Sequence, residues 1–342
     1  MNEAIFLNAI NHFFQGELGT IHKHVTRFDS YEAAFVALNS TLDPEKLYLE
    51  LDRAGVGFIL SSNPLFPEAL LEINPKPLGL YYKGSESFLK NLNNLLVIAI
   101  VGTRKASRLS LDFASELAKK LVSYNCLIVS GLALGLDKAA HEGALLGGGK
   151  TVGVLSLGLD GVYPSSHLNL ANQMIAQGGG LLSEYPLNVP AFPNRFLERN
   201  RIVAGLAKAT IVIEAPLESG SLRTANNCIE FGRDLFVAPG ALKQPNFLGS
   251  HALIKQGSYL ITEPEDIIKY FNLEKASREN LILPLDLSDI EKDLIKILNQ
   301  SNQLIDNLVD LTKLEPQILL RNLSALTLKG LVGETNGSYY LL

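Results

Sequence analysis

The chain has 342 residues, a formal net charge of −5 and 47% hydrophobic residues. That length suits two or three domains around sizeable cores. The acidic balance excludes a generally basic nucleic-acid coat but not a local basic groove, since binding depends on where the charge sits. Cys126 and Cys228 lie inside apolar segments without metal-type spacing, so they read as reduced core residues of a cytoplasmic protein. The first residues show no basic region of a signal peptide, and no apolar run is long enough to span a bilayer, so no membrane partner is expected.

In chain order, residues 1–60 read as short helices and are assigned to a small helical domain over 1–62. Pro64, Pro67, Pro75 and Pro77 follow, and 78–84 leads into a large domain placed at 63–272. There, apolar runs at 95–102, 126–131, 151–158, 180–185, 209–215, 234–240 and 258–262 read as strands. Helical periodicity appears at 109–121, 136–145, 168–175, 199–206, 221–231 and 247–255. The strand runs are almost continuously apolar, as in a parallel sheet buried on both faces. The alternation predicts an α/β fold with an extended Rossmann-like, doubly wound sheet, which binds ligands at the carboxyl ends of its strands. A polar stretch predicts a linker at 273–285. In 286–342, Ser288 is a candidate N-cap for 289–298, helical patterns follow at 305–312 and 316–327, and Asn336-Gly337 suits a hairpin turn before 338–342. Helices followed by a hairpin predict a winged helix.

Candidate binding residues cluster after the strands. Gly102, Thr103, Arg104 and Lys105 form a basic loop that opens a helix, a setting suited to phosphate. Ser130 and Gly131 begin a second loop of small residues, which a doubly wound sheet can place beside the first. Arg195, Phe196, Arg199, Asn200 and Arg201 interleave cations with an aromatic ring, as single-stranded nucleic acid requires. The competing reading is a helix start with internal ion pairs, and residue types alone do not separate the two. Gly220 and Ser221 open a further helix and can offer backbone amides to an anion. Phe196 fits base stacking or core equally well. Arg104 and Arg201, each beside an apolar run, are expected to contribute most to binding.

Other patterns yield less. Residues 144–151 match a relaxed Walker A motif, but Lys150 and Thr151 lead into a strand rather than a helix, so the order is wrong for a P-loop. The G-x-G-x-x-G fingerprint is absent, and neither a cofactor nor a metal is expected. Asp137 and His141 share a helix face; a capping Asp and a hydrogen-bonded His are favoured over an acid–base pair. Glu218 fits a general acid or base, or a helix N-terminal charge. His251 beside Ser250 has no evident carboxylate partner.

Taken in order, the motifs resemble the DNA-processing protein A family (DprA, also called Smf). They are Gly102-Thr103-Arg104, the segment from Ser130 to Asp137 with His141, Tyr163-Pro164, Ser183-Glu184-Tyr185-Pro186, Arg199-Asn200-Arg201 with Gly205, Glu218-Ser219-Gly220-Ser221 with Thr224-Ala225, Gly232-Arg233 and Pro239-Gly240. The N-terminal helices resemble that family's sterile-alpha-motif-like domain, and the C-terminal unit resembles its winged helix. The resemblance implies a single-stranded DNA-binding recombination mediator that protects incoming DNA and helps load RecA recombinase in natural transformation. It implies a homodimer, through 234–240 and 247–262 at the far edge of the sheet, and no catalysis. The chain departs from the family at Leu134, where a basic residue is frequent, at His251, where Asn is common, and at Leu197, where Pro is usual. An alternative is a Rossmann-like hydrolase cleaving nucleoside monophosphates at the N-glycosidic bond, but the glycines and downstream Glu of that motif are missing after Glu218. A duplex-DNA regulator is a third reading. It is disfavoured because 316–327 carries only Arg321 as a cation, behind Glu315.

Overall fold

A computed structural model describes residues 3–275, 287–300, 303–329, 331–335 and 337–341. The chain divides into two compact units, Met1–Lys275 and Ala276–Leu342.

The first unit opens with four helices, α1 (Glu3–Phe13), α2 (Leu18–Val25), α3 (Tyr31–Val36) and α4 (Pro44–Arg53). Ser30 and Asp43 cap α3 and α4, accepting the backbone N–H groups of Ala33 and Lys46 at 3.1 Å each. Pro44 is preorganised for the first turn of α4. Next come β1 (Gly57–Leu60), β2 (Gly79–Lys83), α5 (Glu86–Asn94), β3 (Leu96–Val101), α6 (Arg108–Val122), β4 (Cys126–Ser130), α7 (Leu136–Leu146), β5 (Thr151–Leu155), α8 (Leu168–Ala176) and β6 (Gly180–Ser183). After them run α9 (Pro193–Leu206), β7 (Ala209–Val212), α10 (Gly220–Glu230), β8 (Asp234–Val237), α11 (Leu248–Lys255), β9 (Tyr259–Leu260) and α12 (Pro264–Tyr270).

One nine-stranded sheet runs in the order β1-β2-β6-β5-β4-β3-β7-β8-β9. The seven strands from β6 to β9 along that order are parallel, and β2 and β1 extend the β6 edge antiparallel. The parallel part of the sheet starts at β3, winds outward through β4, β5 and β6, then returns to build β7, β8 and β9 on the other side. The winding therefore reverses between β3 and β7, where loops diverge and leave a crevice.

The sheet begins at Gly57, ahead of residue 63 where the sequence places the start of the large domain. β1 is a four-residue edge strand preceded by Gly55 in the left-handed region, which left little periodicity to read. α9 starts at Pro193 rather than 199, because Pro193 suits a first helical turn and the polar residues after it hid the period.

Every residue of β4, β5, β6 and β7 is buried, as the apolar runs require. One face of the sheet packs Val97, Ala99 and Val129 against Ile202, Val203 and Leu206 of α9. The other packs Ile98, Ile100 and Ile128 against Leu117, Leu121 and Ala140 of α6 and α7. The N-terminal helices share a third core with the sheet, in which Leu7, Ile10 and Ile21 join Phe58, Tyr81 and Leu181.

The second unit contains α13 (Asp289–Gln300), β10 (Gln303–Leu304), α14 (Ile305–Thr312), α15 (Pro316–Leu328), β11 (Val332–Thr335) and β12 (Ser338–Leu341). Its antiparallel sheet has the order β10-β12-β11. Ser288 caps α13 as expected: its Oγ accepts the Glu291 N–H at 3.2 Å while the Glu291 carboxylate accepts the Ser288 N–H at 2.8 Å. Leu294, Leu308, Leu319, Leu323 and Val332 form the core. Gly337 has φ 76°, and Thr335 pairs with Ser338 across the hairpin. Asn336 of the expected turn, Gly330, and the linker from residue 276 onward lie outside the described residues. Among the described residues no helix is long and apolar enough to cross a membrane.

Tyr81 tests how firmly the N-terminal helices are tied to the sheet. Its buried hydroxyl donates to Asn8 Oδ1 at 2.8 Å and accepts from Asn11 Nδ2 at 3.1 Å. Tyr81→Phe leaves both amides short of a partner, at an expected cost of about 1–3 kcal/mol. Urea unfolding should show a lower midpoint with unchanged slope.

Candidate nucleic-acid interface

The crevice at the reversal of winding is a cleft of about 660 Å³. Its floor comes from the loops after β3, β4 and β7, and its wall from α9 and the start of α10.

The two loops after β3 and β4 are pressed together. Gly135 has φ 77°, and a Cβ there would lie 2.5 Å from the Thr103 carbonyl oxygen and 2.7 Å from that of Arg104. Only glycine permits this backbone on this contact. Within the β4 loop, the Asp137 carboxylate accepts the N–H groups of Gly131 at 3.0 Å and Ala133 at 3.3 Å. His167 Nδ1 donates to the Leu132 carbonyl at 2.9 Å. These bonds hold buried Leu132 at φ 54°, a left-handed conformation that costs a side-chain-bearing residue about 1–3 kcal/mol. Burial pushes the Asp137 carboxyl above its ordinary range, against the pull of the Arg199 charge and the loop N–H groups.

His141, on the same helix face, plays no acid–base part with Asp137. Its Nδ1 lies 2.7 Å from Thr151 Oγ1, whose own hydrogen goes to the Ile128 carbonyl at 2.9 Å, so Nδ1 is the donor. Burial pushes the imidazole down to about 3, with Arg199 adding to the shift, and it stays neutral.

The cleft's cations sit at two depths. Arg104 and Lys105 are exposed at the rim. The Arg104 guanidinium lies over the Phe196 ring, 4.8 Å from its centroid, and Tyr163 stands 5.6 Å from the same ring. Tyr163 is 50% exposed, so part of its ring is open to solvent. Arg199 lies at the floor, 5% exposed, donating through Nη1 to the Val154 carbonyl. It packs on Gly131, where a Cβ would fall inside the guanidinium. Its Nε has no hydrogen-bond partner. Burial, opposed by Asp137 and aided by Arg104, brings the Arg199 pKa down to about 10, which keeps the charge at neutral pH. Asn200 Nδ2 donates to the Gly220 carbonyl at 3.1 Å and ties α9 to α10. Ser219 caps α10, its Oγ accepting the Ser221 N–H at 3.2 Å.

The cleft thus gathers Gly102, Thr103, Arg104 and Lys105 from the first loop and Gly131 from the second. Phe196, Arg199 and Asn200 come from α9, and Gly220 and Ser221 from α10. Three residues chosen from the sequence are not among its lining. Ser130 is buried and donates to the Ile100 carbonyl at 2.7 Å. Arg195 donates to the carbonyls of Pro190 at 2.6 Å and Gln15 at 2.9 Å and stacks near Tyr185. Arg201 pairs with buried Glu184 at 2.5 Å and donates to the Pro75 carbonyl at 2.8 Å. The reason is helical geometry: positions 196, 199, 200 and 203 share the cleft face, while 195 and 201 point elsewhere. The sequence reading missed Tyr163 as a second ring; its only signal was membership of a motif with Pro164. Of the departures from the family pattern, exposed Leu134 does not line the cleft, and His251 Nε2 reaches the Gly240 carbonyl at 3.1 Å.

A second groove of about 700 Å³ runs along α6 and α7. Its charges cancel within the pairs Arg108–Asp112 and Lys138–Glu142, so it offers no net attraction for an anion. Among the described residues no group of three or more His, Cys, Asp or Glu is arranged to hold a metal.

Gly131→Ala should force Arg199 from its seat and cost about 1–3 kcal/mol, as overpacking does. Gly220→Ala, with open space around its Cβ, should stay within about 0.5 kcal/mol of the parent. Thermal melts of the two variants make the comparison; equal melting temperatures would show that Arg199 is free to move.

The family model described as DNA recombination-mediator protein A matches residues 57–272. Protein Smf of Escherichia coli K12 is 38% identical over 219 residues, which is 64% of this chain and 58% of that protein's length. A solved structure of DNA processing protein A from Streptococcus pneumoniae superposes with a TM-score of 0.63 at 31% identity, covering 80% of this chain and 93% of that one. A structure of DNA processing protein A from Helicobacter pylori, described for its single-stranded DNA binding mode, gives a TM-score of 0.57 at 31% identity, covering 65% of this chain and 99% of that one. With the glycine-backed basic loops set at the reversal of a mostly parallel sheet, these matches place the chain in the DNA recombination-mediator protein A family.

Proposed function

We propose that the chain binds single-stranded DNA in the cleft and acts as a recombination mediator. In this role it protects incoming DNA and helps load RecA recombinase during natural transformation. The observation that carries the reading is Arg104 stacked on Phe196 beside Tyr163, above the buried charge of Arg199. Cations interleaved with aromatic rings suit phosphates and unpaired bases. The single-stranded DNA binding described for the H. pylori relative supports the same reading. The N-glycosidic hydrolase alternative gains nothing: Glu218 is exposed at the rim, and the strand–helix junction lacks the glycines of such enzymes. We therefore assign no catalysis.

The accompanying assignments follow the family. The N-terminal helices are read as the sterile-alpha-motif-like domain, 286–342 as a winged helix, and the cytoplasm as the compartment. A homodimer is assigned to the β9 edge, where Tyr259 and Leu260 are about half exposed on a strand with one open side. The RecA contact is placed near that edge. Light scattering at micromolar concentration should give the mass of two chains; a one-chain mass would refute the dimer.

Gel-shift competition between equal lengths of single and double strands should favour the single strand, with affinity falling steeply as salt rises. Equal affinity for the two would sink the proposal. Arg104→Ala should weaken binding about tenfold, the scale of one charge-assisted hydrogen bond. Tyr163→Leu and Phe196→Leu should each weaken it as well, by about 1–3 kcal/mol if a base stacks there. Arg201→Ala should act through the fold, since it strands buried Glu184 at a cost of about 3–5 kcal/mol. On DNA coated with single-strand-binding protein, the chain should accelerate RecA filament formation.

A further inference from the structure

Glu214 is an acidic side chain buried directly behind the basic loop, and the single-stranded DNA reading gives it no role. It follows β7, with its side chain out of solvent. One carboxylate oxygen accepts both the Ser107 N–H, at 3.0 Å, and the Ser107 hydroxyl, at 2.7 Å. The other accepts Asn246 Nδ2 at 2.7 Å. Asn246 Nδ2 also lies 3.3 Å from the Lys105 carbonyl. The Glu214 carbonyl oxygen accepts the Thr103 N–H at 2.8 Å. One residue therefore grips the loop at Thr103 and Ser107, on either side of Arg104 and Lys105, and reaches Lys105 through Asn246. Burial works against the carboxylate's charge, but bonds from Ser110, Ser107 and Asn246 outweigh it and hold the pKa below the ordinary value.

A negative charge behind an anion site is a liability unless it does something else. By Coulomb's law alone, removing it should tighten binding of a phosphate strand. We infer that Glu214 is a positioning residue for the DNA cleft, whose carboxylate clamps the loop of residues 102–107 so that Arg104 and Lys105 are held over the strand. The inference rests on the single-stranded DNA reading of the cleft and adds to it the element that orders its cations. Preorganisation of this kind lowers the entropy lost when a flexible cationic loop is fixed on its ligand. The clamp and the bare charge thus predict opposite signs for the same substitution.

The test measures single-stranded DNA affinity against salt for the full chain, Glu214→Gln, Arg104→Ala and the double variant. Glu214→Gln is expected to weaken binding about tenfold, comparable to losing one charge-assisted contact. Its log–log salt slope should fall by about 0.7–1.4, the loss of one or two phosphate contacts to a single strand. In that background Arg104→Ala should cost little more, because the cation is no longer held in place. A merely structural defect would reduce the active fraction without changing the slope. Asn246→Ala, which keeps the charge and removes one arm of the clamp, should weaken binding in the same direction by about two- to threefold. It carries the test if Glu214→Gln does not fold. Equal or tighter binding by either variant with an unchanged slope overturns the clamp while leaving the DNA reading intact. Failure of the unaltered chain to bind any single strand overturns both, and is recognised because no variant is needed to see it.

Discussion

Three buried guanidiniums on α9 fix the helix in place, and the cleft exists because the helix sits where it does. Arg195 reaches the turn after α1 through the Gln15 carbonyl, Arg199 reaches the sheet through the Val154 carbonyl, and Arg201 reaches Glu184 and the Pro75 carbonyl. Each anchor joins α9 to a different part of the first unit. A buried guanidinium carries several donors in a rigid plane, so satisfying them fixes orientation as well as distance. Leaving one unpaired would be costly, which makes alternative placements of α9 unfavourable. The anchoring residues face inward, and the same helical turn points Phe196, Asn200 and the edge of Arg199 into the cleft.

An acidic chain can hold a cationic cleft because the two buried acids behind its loops, Asp137 and Glu214, are held by hydrogen bonds, while Glu218 at the rim is exposed to solvent. Asp137 accepts N–H groups of the β4 loop, and Glu214 accepts those of the β3 loop and its neighbours. Neither carboxylate closes an ion pair with a cleft cation, and among the described residues Arg104 and Lys105 form none. The acids shape the loops while the cations face outward. Net charge, the first number available from the sequence, therefore said little about this surface.

The central strands were legible because burial on both faces leaves continuous apolar runs. β1 escaped because its apolar run is only a few residues long, which by itself does not distinguish a strand from a segment of the helices read over 1–60. The basic loop and the glycine-rich loop were legible as chemistry, and their adjacency followed from the doubly wound topology. The arginine stretch was legible as a cluster but not as directions. Arg199 and Arg201 are near neighbours in sequence, yet a helix turns each residue by about 100°, so one enters the cleft and the other ends on Glu184. Tyr163 could not be placed, since it reaches Phe196 only through the return of the chain after β5. Glu214 lay inside the run at 209–215 read as a strand, and its partners at Ser107 and Asn246 come from two other segments.

The cleft is also arranged so that an anion relieves tension already present. Arg104 and Arg199 repel one another, and that repulsion is one of the causes holding the Arg199 pKa low. Burial deprives Arg199 of water, and its Nε lacks a partner. A phosphate near both charges would replace like-charge repulsion with attraction and give the deep guanidinium part of the solvation it lost on folding. In the proposed reading, a single strand can turn its backbone toward the buried Arg199 and its bases onto Phe196 and Tyr163, which a rigid duplex cannot do. The preference expected for a single strand on that reading rests on the depth of Arg199 as much as on the rings at the rim.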